Sequence, residues 1–493
     1  MADTPPNRVT TEHSKHSLQR KLQSRHLTMI AMGGAIGTGL FVASGEVVST
    51  AGPGGAVLAY AIIGIMVYFL MQSLGEMAAL IPESGSFAEY ARRFVSPSFG
   101  FAMGWNYWFN WAVTVAAEVA AAGIIMKFWL PDVPSWVWAA LFLSLIFGLN
   151  ALSVRFYGES EFWFASIKVA TVVVFIVLGL LVILGIFGGE NVGFHNWTEG
   201  EAPFVGGAMG IFAVILVAGF SFQGTEMIGI AAGEADDPSR TIPKATRTVF
   251  WRILLFYIFA IAIIGFLIPY TDPNLLRSDV TDIAVSPFTL VFQKVGIAAA
   301  ASVMNAVILT AILSAGNSGM YVATRVFYSL AENGQAPKAI AVTNERGVPM
   351  RALLVVTAIA SISFITSLVG DGRAYTWLVN ASGFTGFICW LGIAWTHWRF
   401  RKAFLAQGHS LDELPYRARF FPAGPIIAMM MCGVVIAGQN IGVLMDGGSI
   451  WAFLAPYVGL LIFAALWLGW RIARREPVVR PEDADFSDAR FSK

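Results

Sequence analysis

Charge is scarce in this chain, and cysteine nearly absent. Asp, Glu, Lys and Arg make up 13% of its 493 residues, about half their share in an ordinary soluble domain. With 56% hydrophobic residues and a mean hydropathy of +0.66, that shortage does not fit a water-soluble enzyme and points to a polytopic helical membrane protein. The two cysteines, Cys389 and Cys432, both fall in apolar stretches, which leaves no disulfide framework and no metal-ligand cluster, so no cofactor is expected. Neither sign of charge dominates: 32 Lys and Arg against 31 Asp and Glu give +1, so there is no basic surface for nucleic acid. A phosphate-binding P-loop is missing, which argues against an ATP-driven pump. A nucleophile–base constellation is missing too, which argues against an enzyme. The first 25 residues are polar, so a cleavable signal peptide is not expected and the first apolar helix serves as its own insertion signal.

What is present is a series of long apolar runs. A bilayer core of about 30 Å needs roughly 20 apolar residues per helix. That ruler gives twelve expected spans, at about 26–51, 55–80, 101–129, 135–153, 161–187, 206–232, 248–269, 297–326, 350–369, 374–397, 424–443 and 451–471. Positive loops are retained in the cytoplasm. With twelve spans, both tails and the loops after even-numbered helices share one side, and that side holds 27 of the Lys and Arg residues against 4 on the other, with Lys168 inside the membrane. Both termini are therefore expected to be cytoplasmic, as tails 1–25 and 472–493.

Two spans carry interruptions. The first contains GGAIGTGLF at 33–41, with four glycines in seven residues. Close packing through small residues is one reading. The glycines are too dense for one helix face, however, and unwinding frees backbone amides at a half-helix N-terminus, where a carboxylate is favoured. The sixth span contains Gly219-Phe220-Ser221-Phe222-Gln223-Gly224-Thr225-Glu226, with polar Ser221 and Gln223 between apolar flanks. Interrupted helices at corresponding places in two halves mark a midplane substrate site, and spans one and six stand in the relation that two inverted five-helix repeats demand. Freed amides for a carboxylate and freed carbonyls for an ammonium describe a site for an amino acid.

Three charged residues stand out within the spans. Glu118, deep in the third, costs roughly 2.5–3.5 kcal/mol at a bilayer centre unless it meets a partner or a cavity; it either braces neighbouring helices or faces a cationic substrate side chain. Glu226 ends the second interruption and suits either the cap of the following half-helix or substrate contact. Lys168, near the start of the fifth span, either snorkels to the interface or points inward at the broken helices as a proton-exchanging amine. Glu46, Glu76 and Glu83 are expected at interfaces, and Glu234, Asp236 and Asp237 at the cytoplasmic mouth, solvated or paired with Arg240.

These residues resemble a known family. RHLTMI at 25–30 leading into GGAIGTGLF, AGPGGA at 51–56, SLGEMAALIPESGSFAEYA at 73–91, FSFQGTEMIGIAAGEADDPSRTIPKA at 220–245 and SAGNSGMYVATRVFYSLAENGQAP at 314–337 are similar to the amino acid permeases of the amino acid–polyamine–organocation superfamily. The similarity runs from Leu22 to about Ala473 and is nearest the lysine-specific members of bacterial inner membranes. It implies an all-α fold of twelve transmembrane helices, with a leucine-transporter-type inverted repeat (26–188 and 206–398) followed by two further helices (424–471). By the same resemblance, backbone around Gly37, Thr38 and Gly39 holds the substrate carboxylate, carbonyls near Ala35, Phe220 and Gln223 hold the amine, and Phe220 is an aromatic gate. Lys168 matches the position of a lysine that replaces sodium, which implies proton coupling, with Glu226 a second proton-linked candidate. Helices three, six, eight and ten line the side-chain pocket, which draws in Glu118, Ser221, Ser314, Asn317 and Ser382. The implied function is import of L-lysine with protons across the cell inner membrane; a broader basic amino acid carrier or exchanger, and a lysine-binding membrane sensor, stay open.

Overall fold

A computed structural model describes Met29 and residues 36–83, 85–152, 154–186, 192–232, 237–275, 286–294, 298–439, 449–450, 454 and 457–491. Every regular element among them is helical. In chain order the main ones are a π-helical turn at Gly39–Ala43, then α1 (Ser44–Leu80), α2 (Ser86–Phe94), α3 (Pro97–Met126), α4 (Ser135–Asn150), α5 (Val154–Ile183), α6 (Gly207–Phe220), α7 (Met227–Ala231) and α8 (Pro238–Arg252). After a second π-helical stretch at Ile253–Phe259 come α9 (Ala260–Leu267), α10 (Pro287–Lys294), α11 (Ala298–Glu332), α12 (Met350–Ala360), α13 (Asp371–Ala406), α14 (Ala423–Ala437) and α15 (Val458–Arg474).

Among the described residues, six segments are long and apolar enough to cross a membrane: Gly39–Leu80, Pro97–Met126, Glu161–Ile183, Ala299–Glu332, Met350–Val369 and Asp371–Ala406. Shorter apolar helices lie at Ser135–Asn150, Gly207–Phe220, Leu255–Leu267 and Ala423–Ala437. The expected spans 26–51 and 55–80 meet in one of the long segments, which turns a corner at Gly52 (φ 74°) followed by Pro53. A left-handed φ suits glycine, and a Cβ here would lie 2.8 Å from the Pro203 carbonyl oxygen. The amides of Gly54 and Gly55, freed by the turn, donate to that same oxygen at 2.9 and 3.1 Å. The corner is thus tied to the loop that leads into α6.

Burial differs sharply among the helices. In α3, 89% of the most apolar window is buried, against 28% for Glu161–Ile183. Helix α3 carries Ala116, Ala117, Ala120, Ala121 and Ala122, and small side chains let neighbouring helices approach closely; α11 and α13 pack along it. It is the central post of the fold, whereas α5 lies at the rim with exposed Val173, Val174 and Val177.

One end of the bundle is closed by the segment after α15. The Val479 amide donates to the Val95 carbonyl at 2.9 Å and the Arg490 amide to the Leu80 carbonyl at 2.8 Å. Phe486 packs against Phe94, Phe400 and Phe404 with ring centroids 5.2–5.8 Å apart, and Arg93 pairs with Asp488 at 3.0 Å and with Glu89 at 2.7 Å. Chain ends are poorly ordered unless tied down; here main-chain hydrogen bonds, aromatic packing and an ion pair all hold residues 479–491.

Candidate functional site

The interruption in the sixth span is present and occupies the residues the sequence indicates. After α6 ends at Phe220, six residues form turns before α7 begins. The Phe222, Gln223 and Thr225 amides bond to carbonyls three residues back, a tighter pattern than the α-helical one, and Gly224 has φ 93°. In the first span, residues 26–28 and 30–35 lie outside the described residues, Ala35 among them; from non-helical Ile36 and Gly37 the chain passes through the π-helical turn into α1.

The two interruptions touch each other. A Cβ on Gly39 would lie 2.5 Å from the Ser221 Cα. The Tyr60 hydroxyl, reaching across from α1, stands 2.8 Å from Ser221 Oγ and 3.4 Å from the Gly39 carbonyl. Phe222 stacks on Tyr257, with ring centroids 4.3 Å apart, and Phe220 is buried.

Glu118 reaches the first interruption. The Thr38 amide donates to its Oε2 at 3.2 Å, and Thr38 Oγ1 lies 3.3 Å from Oε1. A side chain on Gly37 would place its Cβ 2.5 Å from Glu118 Oε1. The carboxylate is 4% exposed and is held by neutral donors at a helix start, where the aligned peptide dipoles favour an anion. Of the readings the sequence left open, Glu118 points toward the broken helix.

Beside it lies a neutral polar cluster joining α3, the sixth-span interruption and α13. Asn110 Nδ2 is 2.7 Å from the Ser382 carbonyl, 2.9 Å from Thr385 Oγ1 and 3.2 Å from Gln223 Oε1. Gln223 Nε2 donates to the Ser382 carbonyl at 2.9 Å, and Thr114 Oγ1 sits 2.6 Å from Ser382 Oγ. Ser221, Gln223 and Ser382 therefore converge with Thr38 and Glu118.

Glu226 takes a separate position. Both its carboxylate oxygens accept from the Gly224 amide at 3.1 Å, Tyr107 donates at 3.2 Å and Trp390 at 3.4 Å. It is the residue before α7, but its side chain bonds back into the turn and not onward to the α7 amides. Ser314 also stands apart from Glu118: its hydroxyl donates to Glu161 Oε2 at 2.8 Å, and Lys168 Nζ lies 3.7 Å from Glu161 Oε1, both side chains fully buried. Lys168 therefore points inward and does not snorkel. Asn317 Oδ1 accepts from Asn150 of α4 at 2.8 Å.

Two acids expected at interfaces are buried. Glu76 is 0% exposed and is gripped by the Arg401 guanidinium, with His397 Nε2 3.2 Å away and the Ala418 amide donating at 2.6 Å. Glu46 is 8% exposed. A span-end position does not reveal that another helix covers it. Glu83 stays partly exposed near Arg93, Asp237 pairs with Arg240 at 3.7 Å on the surface, and Glu234 and Asp236 lie outside the described residues.

Sequence reasoning missed Glu161, Tyr60, Asn110 and Thr114. For Glu161 a signal existed: it precedes Lys168 by seven residues, which places the two on one helix face two turns apart. Asn110 and Thr114 are likewise polar residues one turn apart in an apolar run.

Comparisons with known proteins place the chain in a family. The family model described as amino acid permease matches residues 26–480. The chain is 56% identical over 471 residues to the lysine-specific permease LysP of Escherichia coli, covering 95% of this chain and 96% of that one. It is 50% identical to LysP of Lactococcus lactis, covering 95% and 93% of the two chains, and 49% identical to the histidine permease HisP of the same organism, covering 96% and 99%. A crystal structure of a manganese transporter from Eremococcus coleocola superposes with a TM-score of 0.56 at 15% identity, over 92% of this chain and 94% of that one, a likeness of fold alone. A family match over nearly the whole length, on a multi-pass helical membrane fold with an interrupted sixth span, leads to one conclusion: this chain belongs to the amino acid permease family and is a transporter rather than an enzyme.

Proposed function

We propose that this transporter imports L-lysine across the bacterial inner membrane together with protons, by alternating access. Two relatives of 56% and 50% identity bear the name lysine-specific permease. The observation that carries the reading is the Glu118 carboxylate seated on the Thr38 amide, with no cation among its hydrogen-bond partners. An amide that already donates to one carboxylate suits another, so backbone at Gly37, Thr38 and Gly39 takes the substrate's α-carboxylate while Glu118 turns to the ε-ammonium. Carbonyls near Phe220 and Gln223, and near Ala35, take the α-amine, with Phe220 as the gate and Ser221 beside it. Ser382, within the Asn110–Thr114–Gln223 cluster, supplies neutral acceptors along the side-chain pocket, and Ser314 acts through Glu161. Lys168 carries the proton, and Glu226, held by the Gly224 amide, Tyr107 and Trp390, is the second proton-linked group.

In this reading the chain crosses the lipid bilayer twelve times with both tails cytoplasmic. Helices of 26–188 and 206–398 form the inverted repeats, 424–471 adds two helices, and the end bearing Arg93, Arg399 and residues 479–491 faces the cytoplasm. The placement of Lys and Arg supports that orientation.

Uptake of labelled lysine into sodium-free proteoliposomes, with an imposed inward proton gradient, tests the reading. Concentrative uptake is expected, and Lys168→Ala should abolish it while weakening lysine binding far less. Uptake that requires sodium and ignores the gradient would refute proton coupling. A broader cationic carrier is the second reading, because a relative almost as similar is named a histidine permease; competition by arginine, ornithine and histidine separates the two.

A further inference from the structure

Most of α5 faces away from the bundle, yet Glu161, Ala165, Lys168, Val172 and Phe175 are each 0% exposed. Their spacing of three and four residues puts them on one stripe of the helix, so both ionisable groups lie on its buried face. Lys168 Nζ is 3.7 Å from Glu161 Oε1, and the Ser314 hydroxyl of α11 donates to Glu161 Oε2 at 2.8 Å. The acid is thus met by a cation on one oxygen and by a neutral donor on the other.

This pair differs from Glu76 and Arg401, which join α1 to α13. Glu161 and Lys168 belong to one helix, seven residues and about 10 Å of rise apart, so their attraction ties no two helices together. What crosses to α11 is a hydroxyl rather than a charge. Taking both ions out of water is costly, and an ionisable residue at membrane depth marks a function more often than a packing need. The pair also flanks the candidate site. A Cβ on Gly37 would lie 2.5 Å from Glu118 Oε1 and 2.7 Å from the Ala315 Cβ. Glu118 therefore reaches the same turn of α11 that carries Ser314, and the charge of Lys168 acts on it. Among the described residues, other titratable groups on the elements around α5 are engaged elsewhere. Tyr257 stacks on Phe222, and Lys294 pairs with Asp272. Further along α11, Arg325 lies over the Tyr321 ring and Tyr328 donates to Glu332. Glu159, on α5 itself, is partly exposed.

We propose that Glu161 is the positioning residue of the coupling amine: its carboxylate, oriented by Ser314, holds Lys168 as an ammonium on the flank of the first interruption, beside Glu118. A buried amine without a counter-charge favours its neutral form, and a neutral amine cannot stand in for a cation at the broken helix. Glu161 supplies that counter-charge from the same helix, so the two move together when α5 moves. Glu161 itself touches neither substrate nor interruption; it acts through Lys168. The proposal rests on the reading that Lys168 carries the proton.

Glu161→Gln, Glu161→Asp and Lys168→Ala in proteoliposomes test it, together with NMR of protein carrying ε-15N-lysine, where the Lys168 signal is the one that Lys168→Ala removes. At neutral pH that signal should be an ammonium's in the parent and a neutral amine's in Glu161→Gln. Gradient-driven lysine uptake by Glu161→Gln should fall about tenfold or more, with lysine binding within about threefold of the parent. Acidifying both sides by about two pH units should restore uptake to Glu161→Gln and not to Lys168→Ala, and Glu161→Asp should keep part of it at neutral pH. An ammonium signal in both parent and Glu161→Gln overturns the proposal. So does a joint loss of uptake and binding that neither acid nor Glu161→Asp relieves, which would make Glu161 a plain structural support. Should Glu161→Gln fail to insert, Ser314→Ala keeps both charges and should show a smaller loss of uptake, relieved by acid; unchanged uptake overturns the proposal. Should uptake by the parent ignore the proton gradient, the coupling reading fails, while the NMR contrast still decides whether Glu161 keeps Lys168 charged.

Discussion

Two carboxylates buried in this protein, Glu118 and Glu76, are held by opposite means. Glu76 is enclosed by a guanidinium, an imidazole and a main-chain amide drawn from α13 and the segment before α14. Among the described residues, the hydrogen bonds to Glu118 come from the amide and hydroxyl of Thr38, with Lys168 acting on it only through its charge. The first is neutralised in place, so moving it strands two partners. The second borrows donors from an interrupted helix and can release them at the cost of ordinary hydrogen bonds, which contribute roughly 0.5–1.5 kcal/mol each. Fixed cations make a carboxylate into a brace; neutral donors leave it free to meet a cation that arrives and departs. A carrier needs one of each.

Breaking the brace should have the largest effect. Glu76→Gln leaves Arg401 buried without its counter-charge, and removing one partner of such a pair costs about 3–5 kcal/mol. A marked fall in thermal unfolding temperature in detergent is expected, whether or not lysine is present, and a variant as stable as the parent would undo the contrast with Glu118. Next comes the surface where the interruptions meet. Gly39→Val would drive its Cβ against the Ser221 backbone, and neither backbone segment can step aside. Lysine binding by the inserted protein should be lost; normal binding by a correctly inserted variant would remove the first interruption from the site.

Glu118→Gln sharpens the comparison. The amide oxygen still accepts from Thr38, so the fold should hold, with unfolding temperature close to the parent's. Lysine binding should weaken about tenfold or more, since hydrogen bonds to charged groups are worth roughly 1.5–3 kcal/mol, and the preference over norleucine should narrow. If Glu226→Gln loses lysine while Glu118→Gln keeps it, the two roles exchange. Ser382→Ala should have the smallest effect. It removes one hydroxyl from a cluster in which Asn110, Thr114 and Gln223 retain other partners, so a rise in KM of about fivefold or less is expected; a hundredfold rise would move the centre of recognition from Glu118 to this neutral cluster.

The sixth-span interruption was legible in the sequence because its cause is local: Gly219 and Gly224 with polar residues between them cannot continue an apolar helix, and the turn pattern follows. The corner at Gly52–Pro53 was legible only as a gap between spans. That it presents two amides to Pro203, about 150 residues away, is a matter of tertiary placement. Ser314 shows the same limit. Its helix is legible from its apolar run, but nothing local tells that its hydroxyl turns to Glu161 rather than to Glu118.

What the sequence determined by itself was the class, the apolar helical segments and the place where the sixth span breaks, since each depends on composition or on residues within a turn or two of one another. Which face each charge presents, and to whom, was decided by packing. Glu118 meets Thr38 across 80 residues and Glu76 meets Arg401 across 325. A helix in an apolar medium satisfies its own backbone whatever its rotation about its axis, so only the neighbouring helices fix that rotation, and with it the difference between a brace and a binding group.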